Sequence, residues 1–123
     1  MSSDINVSVK AQYMAGQSQP EKDKYTFSYQ VTITNQGEEA AKLISRHWII
    51  TDGNGARKEV KGLGVIGEQP TIAPGEDYQY TSFSVLDTRV GTMEGSYQME
   101  QADGTLFDAP IPPFLLAVPG TIN

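Results

Sequence analysis

The amino-acid sequence predicts an all-β protein, an antiparallel β-sandwich of about seven to eight strands. Three observations carry the prediction. Apolar side chains alternate with polar ones through several short segments, the 12 Gly and 7 Pro fall as punctuation between those segments, and no window sustains a 3.6-residue helical period. Strands that are apolar on one face need a second sheet to cover it, which makes two packed antiparallel sheets the expected architecture. At 123 residues the chain reads as a single domain, 1–123, able to bury roughly two-thirds of the surface its unfolded chain exposes. No internal repeat, low-complexity tract or linker divides it.

The elements follow in order. In INVSVKAQYM, Ile5, Val7, Val9 and Tyr13 recur at even spacing, which places alternate side chains on one strand face. AGQSQPEKDK holds Gly, Pro and charge without a period, and reads as a loop long enough to cross between sheets. YTFSYQVTITN then puts Tyr25, Phe27, Tyr29, Val31 and Ile33 on one face and Thr26, Ser28, Gln30, Thr32 and Thr34 on the other. A turn at Asn35-Gln36-Gly37-Glu38 closes it. AKLISRHWIITD resumes as a strand, with Trp48, the only tryptophan, as its core anchor. Asp52-Gly53-Asn54-Gly55 carries Asp-Gly and Asn-Gly, both suited to a tight primed hairpin turn, so ARKEVKGLG is expected to run back antiparallel. Pro74-Gly75 makes a turn before an alternating strand that starts at Tyr78 and Tyr80. GSYQMEQ and TLFDAPI flank a hairpin at residues 102–105, and PPFLLAVP reads as a separate final strand bracketed by prolines.

Composition excludes several classes. Fifteen Asp and Glu against nine Lys and Arg give a net charge of −6, which repels nucleic acid and anionic membranes at long range. No apolar run approaches the ~20 residues of a membrane span. The start, MSSDINVSV, has an acid where a secretory signal carries bases and lacks an apolar core, so no export signal is expected and the chain is assigned to the cytoplasm. Without cysteine there is no disulfide and no thiolate metal site. The cations Arg46, His47, Arg57, Lys58 and Lys61 lie in one region and read as solvated residues on outer strand faces.

The stretch GLGVIGEQP, residues 62–70, holds Gly62, Gly64 and Gly67 in the order G-x-G-x-x-G, a spacing that elsewhere wraps a pyrophosphate. That use requires a helix after the glycines, and here Glu68, Gln69 and Pro70 lead instead into another β-like segment. The stretch is therefore expected to be a glycine-rich strand connection or bulge, with Val65 and Ile66 at its tip or tucked into the core. An anion nest made from its amides is the alternative. His47 is the only histidine, and neither paired-His nor D-x-D-x-D-G spacing accompanies it. Ser45 and His47 share a strand face without a third group to orient the imidazole. Neither an enzyme nor a cofactor is expected.

Several stretches together resemble the ApaG family: YTFSYQVTITNQGEEAAKLISRHWIITDGNG, GLGVIGEQPTIAPGEDYQYTS, GTMEGSYQME and PIPPFLLAVP. The combination of S-R-H-W-x-I-x-D, G-V-I-G-E-Q-P, P-G-E and G-x-M-x-G-x-Y is far more specific than any one of them, and the resemblance runs from Ile5 to Pro119. It implies a fibronectin type III-like or immunoglobulin-like sandwich, in agreement with the strand alternation. It also implies a link to cobalt and magnesium efflux or resistance and, from related domains in larger proteins, a role in protein–protein interaction. The resulting expectation is a non-enzymatic module that presents residues 62–70, with Arg46, His47 and Trp48 nearby, to a protein partner. Having no membrane span, such a module would assist or regulate a transporter. A small-ligand site is the alternative, holding pyrophosphate or nucleotide on the loop amides or a divalent cation on carboxylates. Pairing of edge strands into a homodimer is left open.

Overall fold

The computed structural model describes residues 4–121. Eight strands account for most of them: β1 (Ile5–Tyr13), β2 (Tyr25–Asn35), β3 (Ala41–Asp52), β4 (Arg57–Leu63), β5 (Thr71–Ile72), β6 (Asp77–Leu86), β7 (Val90–Gln101) and β8 (Leu106–Ala117). All pairings are antiparallel. One sheet has the order β1-β2-β6. The other has the order β4-β3-β7-β8, with the two-residue β5 pairing the start of β3. The two sheets face each other as a sandwich, as the alternation requires.

The core is the sum of the inward faces. Tyr25, Phe27, Tyr29, Val31 and Ile33 of β2 are buried, as are Leu43 and Trp48 of β3, Met93, Tyr97 and Met99 of β7, and Ile111 and Leu116 of β8. Trp48 is the hub. Its ring meets Tyr29 at 5.4 Å, Phe114 at 6.0 Å and Tyr97 at 6.3 Å between centroids, all close to edge-on, the arrangement that aromatic quadrupoles favour.

Three expectations need correction. The segment between β1 and β2 does not cross between sheets. The two strands pair from Ile5↔Asn35 to Tyr13↔Phe27, and the connection folds back through two 3-10 turns, Ala15–Gln17 and Pro20–Lys22. Nor is the Asp52 hairpin a tight primed turn. Neither Gly53 nor Asn54 has positive φ; Gly55 does, at 86°, and the Asp52 amide donates to Ala56, giving the wider three-residue loop with a glycine bulge. Gly104 ends the β7–β8 hairpin in the same way. Finally, TLFDAPI and PPFLLAVP form one strand. β8 absorbs Pro112 and Pro113 at a bulge, where Met93↔Phe114 gives way to Gly95↔Ile111, so that one extra residue sits on β8.

A second bulge sets the geometry of β3. The pairing with β7 slips between Leu43 and Ser45, which leaves Ile44 as the extra residue. The slip turns Ser45 and His47 to the outer face and puts Arg46 on the same face as buried Trp48.

Candidate functional site

The glycine-rich stretch lies along the free edge of β3, between β4 and β5. The bulge at Ile44 frees a carbonyl that holds it there, accepting the Gly64 amide at 2.8 Å and the Gln69 Nε2 at 2.9 Å. The Pro70 carbonyl accepts from the Leu43 amide at 2.9 Å. Between these anchors, the Val65 and Glu68 backbones exchange bonds of 2.8 and 2.9 Å across Ile66 and Gly67. Both central residues have positive φ, 48° at Ile66 and 75° at Gly67, which is the pattern of a primed hairpin turn. The primed turn therefore occurs here and not at Asn54-Gly55.

Each motif glycine has its own physical reason. At Gly67 it is positive φ alone, since open space surrounds the position. At Gly64, φ is 60° and a Cβ would stand 2.1 Å from the Glu68 carbonyl oxygen. At Gly62 the Arg46 guanidinium fills the place of a side chain, with Nη2 2.8 Å from where a Cβ would be. Lying across Gly62, Arg46 Nη1 donates to the carbonyls of Leu63 at 3.0 Å and Gly64 at 2.9 Å. Arg46 is thus a clamp on the loop's entry, not the solvated outer-face residue the sequence suggested.

The turn divides its two apolar residues. Val65 is 1% exposed and belongs to the core, whereas Ile66 is 60% exposed at the tip. Across from the tip stands β6, and a cavity of about 290 Å³ separates Ile66 from Thr81, Ser82 and Phe83, with Arg46, Trp48 and Tyr80 among its walls. Phe83, 58% exposed, lines the same cavity as Ile66, so an apolar residue of β6 faces the tip, whereas Leu63, 75% exposed, lies opposite Ser45 on the outer face. Below the cavity Tyr80 and Tyr97 share a hydroxyl–hydroxyl hydrogen bond. Burial pushes both phenols well above the usual tyrosine range; for Tyr97 the neighbouring Tyr80 adds to the shift, whereas at Tyr80 the hydrogen bond opposes it.

On the outer face, His47 Nε2 lies 2.8 Å from Glu59 Oε1 across β3 and β4. The hydrogen bond and then the charge of His47 hold the exposed Glu59 carboxyl below its usual range. Ser45 Oγ donates to Gln98 Oε1 at 2.8 Å, so Ser45 and His47 share a face but belong to separate pairs. A shallow basin of about 450 Å³ bounded by Ser45, His47, Lys61, Leu63 and Gln98 lies there. Among the described residues no three His, Asp or Glu side chains converge as metal ligands would.

The sequence-derived residues thus come together only in part. Arg46, Gly62, Gly64, Val65, Ile66, Gly67, Glu68, Gln69 and Pro70 form one edge, Trp48 supports it from below, and His47 looks away to the outer face. The reading of the sequence missed the contribution of β6. Phe83 and Val85 fall on the polar side of that strand's alternation, and an apolar residue at an outward position was the available signal.

Fold and site together define a class: an antiparallel β-sandwich domain with a shaped, partly apolar edge. The family model for the ApaG domain matches residues 15–101, and the chain belongs to that family. It is 59% identical over 119 residues to Protein ApaG of Azoarcus sp. (strain BH72), covering 97% of this chain and 94% of the relative; Protein ApaG of Pseudomonas aeruginosa matches at the same identity and coverage. A structural-genomics X-ray structure superimposes with a TM-score of 0.94 at 55% identity, covering 99% of this chain and 92% of the other. The crystal structure of an ApaA protein from Bordetella pertussis does so at 0.93 and 51%, covering 96% of each chain.

Proposed function

We propose that this chain is a non-enzymatic binding module that presents residues 62–70 to a protein partner in the cytoplasm, and that the partnership serves cobalt or magnesium efflux or resistance. The observation that carries this is Ile66. A β-branched residue at φ 48° is disfavoured by about 1–2 kcal/mol, and an exposed isoleucine returns little of that through burial. Asn or Gly would form the same turn more easily, so an apolar side chain held there at a cost fits a contact made outside the chain. Phe83, across the cavity, extends the apolar surface around it.

Pyrophosphate or nucleotide binding has less support. The amides of Gly64, Val65 and Glu68 already donate to carbonyls, which leaves the loop short of convergent donors. Binding of a divalent cation lacks a converging ligand set among the described residues. No described helix is long and apolar enough to cross a membrane, so the efflux link is proposed to run through the partner.

A photo-crosslinking amino acid placed at position 63, 66 or 68 in cells tests the reading, with exposed position 10 on β1, separated from β6 by β2, as the control. The expected result is an adduct of one defined mass from the three loop positions and none from position 10. Equal labelling from position 10, or none from the loop, would count against the proposal. Saturable amide shifts at Gly62, Gly64 and Gly67 with pyrophosphate would favour the small-ligand reading instead.

A further inference from the structure

The sandwich is one strand short on one side. Three strands abreast, β1-β2-β6, face four, β4-β3-β7-β8. β1 packs against β8, so the shortfall lies beside β6 and over β4. Two cavities open on that side: the one of about 290 Å³ between Ile66 and Thr81–Phe83, and a second of about 120 Å³ between Val85–Asp87 and Ile50, Arg57 and Lys58.

The backbone of β6 is arranged to accept a neighbour. Met14 N–H donates to the Thr26 carbonyl at 2.8 Å, which turns the Thr26 backbone toward β1, and Asn35 N–H donates to the Glu76 carbonyl at 3.0 Å, which turns Asn35 toward β6. Hydrogen-bonding direction alternates along an antiparallel ladder. With Thr26 opposite Val85, the residues of β6 that bond to β2 are Tyr78, Tyr80, Ser82, Ser84 and Leu86. The N–H and C=O groups of Gln79, Thr81, Phe83 and Val85 therefore point to the open side.

Exposed edges invite unwanted pairing, and the other edges of this fold carry the usual protections. β4 has Arg57, Lys58, Glu59 and Lys61; β8 has Pro110, Pro112, Pro113 and a bulge; β1 is packed against β8. Residues 78–86 of β6 contain no charge and no proline, and their pairing with β2 runs without a bulge. That edge is left open.

Charge narrows the occupant. Lys58 lies opposite Ile50, on the inward face of β4, and it and Arg57 have no ion-pair partner among the described residues. The nearby acids are engaged, Asp87 by Lys24 at 2.5 Å and Asp52 by the amides of Asn54 and Ala56. We propose that the free edge of β6 takes an extended segment of a partner protein as an added strand. Apolar side chains at alternate positions enter the two cavities, and acidic residues lie toward Lys58 and Arg57. This rests on the binding-module reading and specifies how the partner is held.

The test is selection of a displayed library of random 12-residue peptides on the immobilised full chain, followed by affinity measurements with the enriched peptides in synthetic form. Peptides with period-two apolar residues and an acidic end are expected. Binding should slow amide exchange at Gln79, Thr81, Phe83 and Val85, and Thr81→Pro should weaken it by about tenfold, the effect of one lost main-chain bond. Proline there removes only an outward N–H, so the β2 ladder is kept. Lys58→Glu, at an exposed side chain, should turn the preference from acidic to basic peptides, with the melting temperature of the variant measured alongside.

Strand addition is overturned if no peptide is enriched over bare matrix, if those enriched leave the four β6 amides unprotected, or if the peptide-free chain dimerises and Thr81→Pro abolishes the dimer. Peptides sensitive to Ile66→Gly but not to Thr81→Pro also overturn it, while leaving the module reading in place.

Discussion

Arg46 and Gly62 face each other across β3 and β4, and the guanidinium of the first occupies the space where the second would carry a side chain. The clamp on the Leu63 and Gly64 carbonyls depends on that absence. Gly62→Ala is expected to displace the guanidinium and lower stability by about 1–2 kcal/mol, and Arg46→Ala to cost a similar amount by removing both charge-assisted hydrogen bonds, of which the one to Gly64 is partly buried. Because the two changes break one arrangement, the double variant should fall well short of the sum. Urea denaturation of the three variants measures the coupling.

At Gly64 no rearrangement of a flexible side chain can make room. A Cβ would meet the Glu68 carbonyl at 2.1 Å in a residue already at φ 60°. Gly64→Ala is expected to cost about 2–4 kcal/mol and to open the turn. Amide exchange at Val65 and Glu68 should accelerate more than at Trp48 or Tyr97.

Neighbouring residues of the turn should respond in opposite directions. Val65→Ala removes core volume and is expected to destabilise by about 1–3 kcal/mol. Ile66→Asn relieves the positive-φ penalty and is expected to stabilise by about 1 kcal/mol while weakening partner capture. Thermal melts paired with the crosslinking assay separate the two effects.

Tyr80 and Tyr97 predict alkaline behaviour. Their folded-state values are raised, so the folded chain holds these protons more tightly than the unfolded chain does. The stability this contributes is fully present below the unfolded tyrosine value of about 10 and is lost as pH rises above it. In a titration followed near 295 nm, Tyr80 and Tyr97 should remain un-ionised until the chain unfolds. Tyr80→Phe should remove part of that steep late phase.

What the sequence determined by itself was whatever rests on local alternation and local turn chemistry. The period-two runs of β2 and β6 place their faces without any knowledge of partners, because neighbouring side chains on a strand must point to opposite sides. The Pro74-Gly75 turn, with Gly75 at φ 81°, and the positions of the hairpins at 52–56 and 101–105, though not the turn type of the first, were legible for the same reason. The motif residues could be gathered into one stretch.

Tertiary structure decided the rest, since it depends on register between strands distant in sequence. The bulge at Ile44 belongs to the register of β3 against β7, and it alone turns Arg46 inward and His47 outward. The turn at Ile66-Gly67 opposes local preference and persists because the Ile44 carbonyl, Arg46 and the buried Val65 over-determine it. Which strand stands at an open edge is equally invisible locally: β6 is an edge only because β1 lies on the far side of β2 and packs against β8.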